Sequence, residues 1–96
     1  MRLRCLQEAM AAGFLDRDTA RGVHATLAWL VEEVGELAEA IIKGDRGLAE
    51  EEIADVLAWT LSIANLLGVD AEKALQRKYP GLVEKCVEHQ GAAKPS

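Results

Sequence analysis

The sequence predicts an all-α fold, an antiparallel bundle of about four helices completed by oligomerisation, and three observations carry that expectation. Apolar residues recur at spacings of three and four along most of the chain, the period of a helix with one buried face. Half of the 96 residues are hydrophobic while only four are aromatic, and Ala, Leu and Glu are prominent, a composition that favours helices over strands. One segment, Ile53 to Leu67, is apolar almost all round, so it needs cover on several sides. A single domain of this length is near the size at which one core becomes marginal and association supplies the remaining burial.

The elements follow in order. Leu3, Leu6, Met10 and Phe14 define a short amphipathic helix that Asp16-Arg17-Asp18 is expected to interrupt. Asp18 is then the expected N-cap of a long second helix. Its core stripe is Val23, Leu27, Leu30, Val34, Leu37 and Ile41, and Gly44 stops it. Gly35 inside this helix costs about 1 kcal/mol relative to Ala and suggests a close approach by another helix or a ligand, or simple tolerance. The stretch Gly44-Asp45-Arg46-Gly47 is a tight connection to a third helix, about Leu48 to Leu67, which Gly68 ends; helices joined so briefly pack antiparallel. Asp70 caps a fourth helix that ends at Pro80-Gly81, and Leu82 to His89 adds a last turn or two. Residues 1–89 therefore form one domain, with 90–96 expected as a disordered tail.

The acids are not spread evenly over these helices. In "LVEEVGELAEAI" a 100° projection sends Glu32 and Glu39 away from the core stripe, sets Glu33 at its edge and aligns Glu36 with Trp29. On the third helix Glu52 and Asp55 share a side with Trp59 and Ser62. Counted back from the connection, the two acidic pairs differ in height by about one helical turn, so four carboxylates can face each other. Such a group at a mostly apolar interface is tolerable only with bound cations or shifted protonation. All-oxygen ligation points to Mg²⁺ or Mn²⁺ rather than Zn²⁺, and magnesium typically shares itself with substrate phosphates.

Taken together, EExxE at Glu32, Glu33 and Glu36 followed by ExxD at Glu52 and Asp55 resembles the MazG-like nucleotide pyrophosphohydrolases. The resemblance spans roughly Thr19 to Pro80 and includes "EEIADVLAWTLSIANLLGVD" and "RKYP". It implies a hydrolase that cleaves a nucleoside triphosphate, ribo or deoxy, between the α- and β-phosphates, yielding the monophosphate and pyrophosphate, in a dimer or tetramer. It also implies that Glu33, Glu36, Glu52 and Asp55 bind Mg²⁺ and that Glu32 orients or deprotonates the attacking water. Trp29 and Trp59 flank the acids and are candidates to stack on the base. Arg21, Lys43, Arg46, Lys73, Arg77 and Lys78 are available to phosphate, with none singled out. Phosphoribosyl-ATP pyrophosphohydrolase shares the acidic helices, but its tyrosine-histidine pair is absent where "DVLAWT" stands. A non-catalytic helical oligomerisation module is the contrasting class, with the acids as surface charge.

The charge of −5 and pI near 5.0 argue against a nucleic-acid partner, because no basic stripe is present to neutralise phosphates. No apolar run of membrane length and no signal-peptide pattern is visible, so the expectation is a soluble cytoplasmic protein with no membrane partner. Cys5 and Cys86 form no CxxC and are expected as small buried hydrophobes, while His24 lacks a second ligand at metal spacing.

Overall fold

In the computed structural model, which describes the backbone of residues 2–93 and the side chains of residues 2–86, every regular element is a helix. They are α1 (Leu3–Arg21), α2 (Val23–Lys43), α3 (Arg46–Leu67), α4 (Ala71–Lys78) and α5 (Pro80–Ala93). The connections carry local stop and start signals. Gly44 and Gly68 end α2 and α3 with φ of 71° and 67°, left-handed values that a residue with Cβ adopts at a cost. One and two residues after them, Asp45 accepts the Leu48 N–H at 3.0 Å and Asp70 accepts the Lys73 N–H at 3.1 Å, capping α3 and α4. Pro80 occupies the first position of α5, where its missing N–H is harmless.

Trp29 lies against Trp59, and Glu33 and Glu36 lie against Glu52, so early α2 meets late α3 and the pair is antiparallel. α1 packs beside α3, and α4 turns off at 97° to α3 and so leaves the bundle direction. No single helix is long and apolar enough to cross a membrane.

Several expectations are corrected. The first break comes at Gly22, with φ 90°, rather than at Asp16–Asp18. Asp18 stays helical because its carboxylate is buried and paired with Arg21 one turn on, so it acts as an internal anchor and not as a cap. The expected α2 core stripe divides. Leu30 and Leu37 are partly covered, whereas Leu27, Val34 and Ile41 are 49%, 48% and 65% exposed. The inward face runs through Thr26, Leu30, Glu33, Leu37 and Ala40, because α2 carries a wider apolar arc than one neighbouring helix can cover. Among the described residues nothing from another helix comes within 4 Å of a Cβ built on Gly35. Cys5 and Cys86 are both exposed, since Cys5 lies on the outer side of α1 and α5 packs mainly against α4. α5 continues past His89 through Ala93, with no proline between Pro80 and Ala93 to stop it and two alanines to favour it; the remainder of the expected tail, 94–96, lies outside the described residues.

Polar pegs fix α1. Gln7, 7% exposed, donates from Nε2 to Asn65 Oδ1 at 3.0 Å and to the Val69 carbonyl at 2.7 Å. Its Oε1 accepts the Ala71 N–H at 3.0 Å, and Asn65 Nδ2 donates back to the Gln7 carbonyl at 3.2 Å. One amide therefore satisfies the backbone groups exposed by the sharp α3–α4 corner. Arg4 adds pairs to Asp70 at 2.9 Å and Glu72 at 3.2 Å. Gln7→Leu, close in size but unable to bond, leaves the Val69 carbonyl and Ala71 N–H without partners and should cost about 2 kcal/mol in chemical denaturation. A loss below a few tenths would show that water replaces the amide freely.

Candidate metal centre

Glu33 and Glu36 stand three residues apart on α2, so their side chains leave neighbouring positions of the helix surface, and antiparallel packing brings Glu52 of α3 opposite them. Each of the three offers a carboxylate oxygen within 4.8 Å of the others. Glu52 is 6% exposed, and Glu33 and Glu36 are half-buried. Oε2 of Glu33 and Oε2 of Glu52 are buried without any hydrogen-bond partner. Ionised carboxylates only accept, so neither oxygen can satisfy the other. Among the described residues the ion pairs are Arg4 with Asp70 and Glu72, and Arg21 with Asp18; no Lys or Arg reaches the trio.

Two remedies remain, a proton or a cation. In the absence of a cation the proton wins: a hydrogen bond shared with Glu52, then burial, then the charges of Glu36 and Glu52, push the Glu33 carboxyl from 4.5 to about 7, with Asp55 adding to the shift. Glu36 is also raised, first by sharing a proton with Glu52 and then by the Glu52 charge, with smaller contributions from burial, Glu32 and Glu39. The alternative is a divalent cation. Three convergent carboxylates, two of which carry an orphaned oxygen, form a hard donor set that fits such an ion, and neither His nor Cys belongs to the group.

The remaining predicted residues surround this trio. Asp55 is exposed and stands outside it, close enough to Glu33 to affect its protonation. Glu32 is exposed on the outer side of α2 and reaches the trio only through its charge on Glu36. Trp29 and Trp59 stack with ring centroids 6.1 Å apart and planes within 10°, and Trp29 remains 46% exposed. His24 is exposed. The arrangement that sequence reasoning missed is at the α1–α2 junction, where the Arg21 guanidinium sits 4.8 Å over the Trp59 ring. The Asp18–Arg21 spacing of three was the available signal, but it points inward only once the break is known to fall at Gly22.

Two comparisons with known proteins identify the family of this chain. The model of the MazG nucleotide pyrophosphohydrolase domain matches residues 21–88, which contain the trio, Asp55 and both tryptophans. A protein of cyanophage S-2L described as a dATP/dGTP diphosphohydrolase is 41% identical over 73 residues, 76% of this chain. The chain covers 66% of that relative, slightly less than two thirds of its length.

Because the folded pKa of Glu33 is raised, the folded state holds more protons than the unfolded state between pH 4.5 and about 7. Chelator-treated protein should therefore be most stable below 4.5 and lose melting temperature as pH rises through 7, whereas Asp70, whose pKa is lowered from 3.8, acts only at more acidic pH. A saturating divalent cation should flatten the fall. Glu52→Gln supplies an amide donor to the orphaned oxygen, so it should raise the metal-free melting temperature at neutral pH and shrink the cation-induced shift. A melting temperature indifferent to pH across this window would show that solvent screens the three acids.

Proposed function

Since the chain belongs to the MazG nucleotide pyrophosphohydrolase family, we propose that it hydrolyses a nucleoside triphosphate with water to a nucleoside monophosphate and pyrophosphate. The observation that carries this reading is the partly buried trio Glu33, Glu36 and Glu52 with its two orphaned oxygens, a site that wants a cation and, through it, a polyphosphate. Both ribo- and deoxyribonucleotides fit the reading; the description of the cyanophage relative makes dATP and dGTP the first substrates to try.

In this reading Glu33, Glu36 and Glu52 hold Mg²⁺, with Mn²⁺ as a substitute, and Asp55 completes the set from the solvent side. A bound divalent cation supplies neutralisation of the triphosphate and a lowered pKa for water. The chain's own contribution is to fix three carboxylates before the ligand arrives and to offer Trp29 and Trp59 as an aromatic surface for the base. Glu32, one helical turn before Glu36, is assigned to orienting or deprotonating the attacking water.

A dimer or tetramer belongs to the same proposal. Leu27, Val31, Val34 and Ile41 share one face of α2, and Ile53 and Leu57 one face of α3; each is between 48% and 65% exposed. Among the described residues the buried apolar side chains are only Ala40, Leu61 and Ala64, against five buried polar or charged ones. A second copy laid on this face supplies the missing core.

Assays with and without Mg²⁺ should give the monophosphate and pyrophosphate, and orthophosphate as sole product would overturn the reaction. Asp55→Asn should lower activity by orders of magnitude and weaken the cation-induced rise in melting temperature, with the fold intact, because a neutral amide is a poorer ligand for a hard cation. Equal activity removes Asp55 from the site. Light scattering at micromolar concentration should show a dimer or tetramer, and Leu57→Glu should reduce it to a smaller species; a monomeric parent protein would sink the assembly.

A further inference from the structure

Outside the acidic trio, the densest polar arrangement next to the aromatic pair is built on Asp18. Its side chain, 2% exposed as a residue, accepts from Arg21 Nη1 at 3.1 Å. The same nitrogen donates to Thr26 Oγ1 at 3.3 Å, and Thr26, fully buried, donates its hydroxyl to the Gly22 carbonyl at 2.8 Å. The guanidinium is thereby tied to both sides of the α1–α2 break, and its carbon stands 4.8 Å from the centre of the Trp59 ring.

Stability alone does not call for this arrangement. Asp18 lies in the last turn of α1, where the helix dipole disfavours a carboxylate, and a buried ion pair is often no more stabilising than apolar residues of the same volume. What the pair provides is a fixed, planar cation: arginine stacks on an indole in a way that lysine does not. Trp59 follows Asp55 by four residues and Glu52 by seven, so the indole sits about 6 to 10 Å along α3 from the acids. An extended nucleotide whose phosphates meet the trio brings its base to that level.

We propose that Arg21, clamped by Asp18 and Thr26, is a positioning residue for substrate: it closes one face of Trp59 and fixes the ring, so that a nucleobase stacks on the aromatic surface left open beside Trp29. This rests on the reading of the trio as a polyphosphate site. It predicts that Arg21 acts on the base and not on the phosphates.

The test uses the full-length assembled protein with Mg²⁺, dATP as substrate and inorganic tripolyphosphate as a base-free competitor. Arg21→Met should raise KM for dATP about tenfold, the size of a partly desolvated cation–π contact, with kcat little changed and the inhibition constant of tripolyphosphate unaltered. The quench of tryptophan fluorescence by dAMP should weaken in parallel. Arg21→Lys should fall between, and Asp18→Asn should move KM in the same direction by freeing the guanidinium. A folded Arg21→Met with unchanged KM overturns the proposal, and equal weakening of tripolyphosphate overturns it in favour of phosphate binding. Should Arg21→Met fail to fold, Arg21→Lys decides on the same criteria. If the parent protein neither hydrolyses nor binds dATP, the proposed function itself falls; a parent response that the variants leave untouched removes only the role of Arg21.

Discussion

Carboxylates without a cationic partner, held at the seam between α2 and α3, are the constraint around which the rest of this structure is arranged. Glu33, Glu36 and Glu52 repel one another and have lost part of their hydration, yet the seam they occupy is the main helix contact of the chain. Such a contact persists only because its ends are fixed elsewhere. The Gly44–Asp45 corner sets the register, and the stacked Trp29 and Trp59 hold the helices together further along. The strain is local and its relief is chemical: a proton on Glu33 in the apo protein, or a hard cation.

The supporting framework is polar to an unusual degree. α1 is attached through Gln7 to the α3–α4 corner and through the Asp18–Arg21–Thr26 group to the start of α2. Hydrogen-bonded groups have sharper geometric demands than apolar contacts, so α1 is docked in one position even though few apolar residues beneath it are fully buried. That docking has a consequence for the aromatic pair. It carries the Arg21 guanidinium to Trp59, one or two helical turns from the acids.

Apolar surface and acidic seam are linked through the same two helices. α2 turns its acids and Leu30 inward while Leu27, Val34 and Ile41 face out, and α3 does likewise with Glu52 inward and Ile53 and Leu57 out. A partner laid on the outer faces would also clamp the seam and with it the spacing of the carboxylates.

How much of this was legible in the sequence depends on the range of the interaction that decides each feature. Helices, their glycine stops at Gly44 and Gly68 and the cap at Asp70 are set by residues a few positions apart, so period and local chemistry determine them. The pairing of Glu33 and Glu36 with Glu52 followed as well, because a short connection leaves two antiparallel helices little freedom of register. Only the tertiary structure decided which part of the apolar arc of α2 turns inward, since the 100° projection sees the arc and not the number of neighbours available to cover it. It also decided that Asp18 is a buried anchor: an aspartate ahead of an apolar helical stripe looks like an N-cap until Arg21 and Thr26 are seen to close around the Asp18–Gly22 segment, and that closure depends on where α1 packs.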